Sequence, residues 1–285
     1  MAVKQRVGTW CAGALLWALI TGAAAPELAV VSGAFSQFED GPATPASFEF
    51  VPGETVFLRF QVSGFKSTGG DDPRIRLTYR AVFSDPEGVA IVEPASGKVD
   101  AELAPQDKEW LPKIRLSALI PPAARSGRYR VEVAVKDEVA GSAAAATLQF
   151  GVRGRDVEPS ETLVTRNFRF LRGEEDTNPL AVAAYRPGDT LWARFEMTGY
   201  KFAEKNRFEV EYGLAVLRAS GDQLYEQPVA AQEAESSFYP RRHVTCTLSL
   251  NLDKDVRPGE YAILLRLRDE VGKQSHESRH VFRVE

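Results

Sequence analysis

"FVPGETVFLRFQVSGFK" (50–66) returns later in the chain as "YRPGDTLWARFEMTGYK" (185–201), and this return decides how the molecule is built. The spacing is a constant 135 residues, and Pro52/Pro187, Gly53/Gly188, Thr55/Thr190, Arg59/Arg194, Phe60/Phe195, Gly64/Gly199 and Lys66/Lys201 are identical. Further on, "SGRYRVEVAVKDEVAG" (126–141) is echoed by "PGEYAILLRLRDEVG" (258–272). That second match pairs Tyr129 with Tyr261, Asp137 with Asp269 and Glu138 with Glu270 at a spacing of 132. Such a period is far longer than the roughly 20 to 50 residues of a solenoid unit. It predicts two tandem domains of ordinary size. Their expected bounds are 25–154 and 162–285, with the polar stretch 155–161, containing Pro159, as linker.

Inside each unit the hydrophobic period is two. In "TVFLRFQV", Val56, Leu58, Phe60 and Val62 face one way while Phe57, Arg59 and Gln61 face the other. "KIRLSALI" and "YRVEVAV" alternate in the same manner, which is the pattern of strands with one buried face. Pro-Gly, Asp-Pro-Glu-Gly, Ser-Gly and Pro-Pro punctuate them as turns. Seven or eight strands per unit are expected, packed as antiparallel two-layer sandwiches.

The first 24 residues read as a separate object. Lys4 and Arg6 precede the apolar run VGTWCAGALLWALITG, and small residues follow, which is the layout of a cleavable secretory signal. No later segment is long and apolar enough to span a bilayer as a helix. Loss of Lys4 and Arg6 would move the formal charge from −4 to −6. A mildly acidic chain lacks the dense basic surface that phosphate neutralisation needs, so nucleic acid is not an expected partner. Cys11 lies in the signal, leaving Cys246 alone, so no intramolecular disulfide can form and stability must come from the cores. The abundance of Ala, Arg and Pro points to a bacterial source, and with the leader to a periplasmic or secreted product.

At "SGRY" and "PGEY" the chain resembles a known architecture. Gly-x-Tyr opening the penultimate strand is similar to the tyrosine corner of immunoglobulin-like folds, where the phenol bonds back to upstream backbone. Val131 and Ile263 stand where antibody domains carry their second cysteine. The units therefore resemble the disulfide-free branch, fibronectin type III-like or macroglobulin-type sandwiches. The resemblance implies all-β, tandem immunoglobulin-like domains and no particular activity.

Several constellations invite chemistry. "HESRH" (276–280) has the His-Glu-x-x-His form of zinc proteases, whose histidines lie one helical turn apart so that both reach one metal. Here the motif aligns with the strand around Ala144, Ala145 and Leu148 of the first repeat. On a strand, positions i and i+4 are about 13 Å apart, so a shared ion is excluded and no metal or other cofactor is expected. "NLDKDVRPGE" (251–260) lacks the glycine and glutamate that an EF-hand loop needs at its sixth and twelfth places, so it reads as a solvated turn. Adjacent Asp137–Glu138 and Asp269–Glu270 face opposite sides of a strand and cannot flank one glycosidic bond; a hairpin role is expected. His243 reads as a surface residue at a strand entrance, and Cys246 as a buried thiol.

Aromatic residues make the stronger binding candidates. Phe57 and Trp192 occupy equivalent places on the polar face of their strands, followed two residues later by Arg59 and Arg194. They suit a protein or sugar contact, or a covering loop with the arginine across the ring. Trp110 in "EWLP" and Phe238–Tyr239 in "FYP" form a second pair at corresponding loop positions, expected to plug one end of each sandwich. The function expected is that of an exported, non-enzymatic binding or scaffold protein for protein or cell-envelope partners. A carbohydrate-binding accessory module, with polysaccharide as partner, and an enzyme-docking inhibitor or accessory subunit are the alternatives.

Overall fold

The computed structural model describes residues 27–104, 106, 107 and 109–285. The expected signal segment lies outside the described residues. The chain is all-β, with sixteen strands in four sheets among the described residues. The first repeat contributes β1 (Ala29–Ser36), β2 (Glu49–Phe50), β3 (Thr55–Ser63), β4 (Arg74–Ser84), β5 (Ala95–Glu102), β6 (Lys113–Leu119), β7 (Gly127–Asp137) and β8 (Ala143–Val152). The second contributes β9 (Val164–Leu171), β10 (Ala184–Tyr185), β11 (Thr190–Thr198), β12 (Phe208–Arg218), β13 (Gln223–Glu235), β14 (His243–Asn251), β15 (Gly259–Asp269) and β16 (Gln274–Val284).

Both repeats follow one plan. A three-stranded sheet, β1-β3-β6 or β9-β11-β14, accompanies a five-stranded sheet, β2-β8-β7-β4-β5 or β10-β16-β15-β12-β13. Pairing is antiparallel throughout except where the short β2 and β10 run parallel to β8 and β16. The alternation read from sequence is what the strands bury. Val56, Leu58, Phe60 and Val62 of β3 are at most 1% exposed, and Leu191, Ala193, Phe195 and Met197 of β11 match them. Each repeat gathers its own hydrophobic cluster around these residues. Even an irregularity is repeated: β1 and β9 slip register against their partners, and Ser32 and Asn167 there take left-handed backbone at φ 53° and 49°.

The repeated polar residues secure the loops. Tyr129 donates its hydroxyl to the Arg125 carbonyl at 3.0 Å and Tyr261 to the Arg257 carbonyl at 2.7 Å. Asp137 and Asp269, both buried, sit at the β7–β8 and β15–β16 hairpins. Asp137 accepts from the N–H groups of Lys66, Val139 and Ala140 at 2.7–3.1 Å. Asp269 does the same for Lys201, Val271 and Gly272 at 2.9–3.0 Å and adds the Gln274 amide at 3.0 Å. Each carboxylate thus ties its own hairpin to the loop that follows the central strand of the opposite sheet. Gly64 and Gly199 open that loop at φ 72° and 82°. A Cβ at either place would stand 2.1 or 1.9 Å from the carbonyl oxygen of Glu27 or Thr162. Only glycine fits such a conformation and approach, which accounts for its recurrence.

Candidate functional site at the junction of the repeats

The loop 236–242 leads from β13 of one sheet to β14 of the other, at the end of the second repeat that receives the linker. A short 3-10 turn, Glu204–Asn206, props it from behind. The Asn206 amide donates to the carbonyls of Ser237 at 3.1 Å and Phe238 at 2.6 Å, and the Ser236 hydroxyl donates to Lys205 at 3.0 Å. Thr198 holds the Arg242 carbonyl at 3.0 Å, and Tyr200 donates to that of Arg241. So supported, the loop drives Tyr239 out of its own repeat. Tyr239 is 6% exposed and belongs to the hydrophobic cluster of the first repeat. This corrects the expectation from sequence: it plugs the neighbouring sandwich, because the aromatic stands on a loop tip that projects beyond its own core.

Asp85, fully buried in the Asp-Pro-Glu-Gly turn after β4, receives the plug. One carboxylate oxygen accepts from the N–H groups of Glu87 and Val89 at 2.9 and 2.8 Å. The other accepts from the Tyr239 hydroxyl at 2.9 Å and Arg242 at 3.2 Å. Arg242 also pairs with Glu87 at 3.0 Å and lies 5.7 Å over the Tyr239 ring. Four donors satisfy the buried carboxylate, which is what a charge removed from water requires. Burial, with Tyr129 and Asp85 alongside, drives the Tyr239 phenol far above its ordinary range, so it stays a donor.

Beside this lock opens a cleft of about 740 Å³. The first repeat supplies an apolar wall of Ile91, Val92, Leu119, Pro121, Pro122 and Ala123. The second faces it with Glu235, Ser237, Phe238, Arg241, His243 and Thr245, and the linker adds Arg155. Leu119 and Phe238 are 52% and 48% exposed. Arg241 is held by Glu233 at 2.7 Å and Glu235 at 2.9 Å, and Arg155 by the buried Glu196. His243 is half-buried; desolvation, then Arg155 and Arg241, lower its pKa and leave the ring neutral at pH 7. The wall is therefore greasy on one side and a fixed, hydrogen-bonding surface on the other. β6 and β14, whose ends border the cleft, are both edge strands, each with one side unpaired among the described residues.

The other candidates lie elsewhere. Phe57 and Trp192 are half-buried on the outer faces of the three-stranded sheets. Arg59 and Arg194 reach the carbonyls of Gly41 and Glu174, fastening the loop that follows β1 or β9 beside each aromatic. Trp110 is 40% exposed at the far end of the first repeat, away from Phe238 and Tyr239. The cleft thus unites only Phe238 and Tyr239 among the seven candidates. Asp85 and Glu196 escaped sequence reading: the first is legible only as a turn residue, and the second as a charge on an outward strand position.

His276, Glu277 and His280 lie on β16, as expected. His280 stacks on Phe168, ring centroids 3.4 Å apart, and its Nε2 is 2.9 Å from the Ser278 hydroxyl. Burial, with His276 the lesser cause, lowers its pKa from 6.5 to about 4. A base so weak and without a carboxylate partner among the described residues is poorly suited to activating a serine. The folded value lies below the unfolded one, so its stabilising contribution is complete above about pH 6.5 and is lost as pH falls from there towards 4. Urea denaturation at pH 7 and pH 4 should show this as roughly 2 kcal/mol, allowing for solvent screening. His280→Gln should flatten that part of the profile; identical profiles for both proteins would refute the assignment. Cys246 is buried and free, its thiol pushed up to about 12 chiefly by desolvation.

No protein-family model matches the chain, and no curated protein matches it. Among solved structures, it is similar to the C-terminal domain of the antigen I/II polypeptide BspA of Streptococcus agalactiae. That match has 9% identity and a TM-score of 0.30, covering 90% of this chain and 99% of that one. The C-terminal domain of the antigen I/II-family protein AspA of Streptococcus pyogenes gives 9% identity and a TM-score of 0.29 over 90% and 99%. A family 123 glycoside hydrolase from Clostridium perfringens gives 14% identity and a TM-score of 0.29 over 44% of this chain and 27% of that one. Scores this low carry no argument about what the chain does. Among the described residues no helix is long and apolar enough to cross a membrane.

Proposed function

We propose that the protein is an exported, non-enzymatic binding protein. It consists of two immunoglobulin-like sandwiches, 25–154 and 162–285, and engages a protein or envelope partner in the cleft between them. Support for the fold assignment is the shared strand order and the pair of tyrosine corners closing four residues upstream. The observation that carries the functional reading is the cleft. A pocket of about 740 Å³ with an apolar wall facing fixed polar groups has the composition of a ligand site. The unpaired edges of β6 and β14 beside it suit an extended segment whose backbone pairs with an edge while a bulky apolar side chain enters the cleft.

Panning a displayed peptide library against the immobilised protein tests this. Enriched peptides should be extended and carry a bulky apolar residue. Leu119→Arg should weaken them by about tenfold or more, as loss of a central contact does, whereas Trp192→Ala should leave them unchanged. Binding that ignores Leu119→Arg, or that is confined to polysaccharide and vanishes with Trp192→Ala, would overturn the reading in favour of a sugar-binding surface.

A further inference from the structure

We propose that the second repeat carries an acid-sensitive seam: β9 and β16 stay closed at neutral pH, and protonation of His276 and His280 parts them, while the matching seam of the first repeat stays shut. The two seams hold the same place in the fold. β9 pairs with β11, and β16 between His276 and His280 pairs with β15, so no strand ladder joins β9 to β16 among the described residues. Side chains close the gap. Strand pairing sets His276, Ser278 and His280 opposite Leu267, Leu265 and Ile263, just as Ala144, Ala146 and Leu148 lie opposite Val135, Val133 and Val131. On the facing strand, Thr165, Arg166 and Phe168 correspond to Val30, Val31 and Gly33 at the repeat spacing of 135.

The first seam is apolar. Leu148 packs so closely over Gly33 that a Cβ there would stand 2.7 Å from its Cδ2, and Val30, Ala144 and Leu148 pack against the core cluster. In the second seam the large ring sits on the other strand. Phe168 stacks on His280 and covers the buried Phe195, with ring centroids 3.4 and 6.0 Å apart. The Ser278 hydroxyl lies 3.3 Å from that of Thr165 and 2.9 Å from His280 Nε2. His276 and His280 are both half-buried. A pair of imidazoles thus takes the place of an alanine and a leucine. A neutral ring serves as filler at such an edge, whereas a charged one must regain water.

The surrounding charges favour parting. From β9 the charged neighbour of His276 is Arg166, whose Nε is buried with no hydrogen-bond acceptor among the described residues. Glu158 of the linker reaches Arg166 at 3.5 Å and is largely exposed. Glu196 of β11, opposite Arg166, is engaged by Arg155. β15 presents only the buried Ile263, Leu265 and Leu267. Asp269, at the hairpin end, already accepts from four donors. On β16 itself, Glu277 and Arg279 alternate to the outer face, where Glu277 holds Arg266 at 2.9 Å. Each nearby carboxylate is thus committed elsewhere, and protonation sets two cations beside Arg166 at a desolvated edge. In the closed seam both rings have lowered pKa values, His276 through burial and then Arg166, His280 to about 4 through burial and then His276. Parting returns them towards 6.5. The closed form therefore keeps its full advantage above about pH 6.5 and loses it as pH falls towards 4. Opening uncovers Phe168 and, behind it, Phe195.

Hydrogen exchange of the native protein at pH 7 and pH 5, read peptide by peptide and corrected for intrinsic exchange rates, tests this. Protection of β9 should fall about tenfold or more at pH 5, with β1 and β8 unchanged. Binding of the dye anilinonaphthalene sulfonate should rise over the same range as the phenylalanines are uncovered. His276→Ala combined with His280→Leu copies the first repeat's seam and should remove the acid response. His276→Gln combined with His280→Gln keeps the seam polar without titrating and should remove it as well. Loss of packing alone would lower protection equally at both pH values, so the difference between them is the reading. Equal protection of native β9 at pH 7 and pH 5, an acid response that survives replacement of both histidines, or an equal fall in β1 and β8 would overturn the proposal.

Discussion

Tyr239→Ala is expected to destabilise the first repeat, although the residue belongs to the second. The side chain is 6% exposed within the core cluster of the first repeat, so its removal leaves a cavity there and costs about 3–5 kcal/mol. It also withdraws one of the four donors on Asp85, whose carboxylate is fully buried. Tyr239→Phe separates the two effects. It keeps the ring and loses the 2.9 Å bond, and should cost only about 1–2 kcal/mol. Urea unfolding followed by hydrogen exchange, peptide by peptide, provides the measurement. Loss of protection in β4, β7 and β8 of the variant is the expected result. Loss confined to β11 and β14 would show that the plug serves its own repeat instead.

Asp269→Ala should have an effect of similar size in the second repeat. Three backbone N–H groups and the Gln274 amide lose their acceptor together, at a site 1% exposed. Stranding buried donors costs about 1–3 kcal/mol for each that water cannot reach, and the hairpin geometry lets some of them open to solvent. A net loss of about 3 kcal/mol is the expected sum. Asp137→Ala should behave in parallel in the first repeat with three donors affected. Differential scanning calorimetry of both variants would register the losses as lowered transitions. A variant melting with the native protein would mean that the carboxylate is not what ties hairpin to loop.

These two experiments separate what could be read early from what could not. Asp137 and Asp269 recur in the sequence at the same place in both repeats, and a hairpin role follows from that repetition alone. The reading of His276 and His280 likewise rested on their place in a strand, which period-two alternation establishes. Tyr239 was visible as an aromatic on a loop, but its destination was not. The bond to Asp85 joins residues 154 positions apart, and no periodicity links them. For Phe57 and Trp192 the sequence left a contact surface and a covering loop both open, and only the fold shows the loop after β1 or β9 fastened beside each ring through Arg59 and Arg194.

Glu196 teaches the same lesson from the opposite side. It occupies an outward position of β11 yet is fully buried, because it lies against Arg155 of the linker and near Arg169. By itself the sequence determined the strands, their inward faces, the duplication and the tied hairpins, because alternation and turn chemistry act between near neighbours in the chain. Only the tertiary structure decided which repeat receives Tyr239 and where the cleft opens. Those depend on surfaces made from separate strands, whose complementarity is a matter of shape and charge in space and leaves no period in the chain.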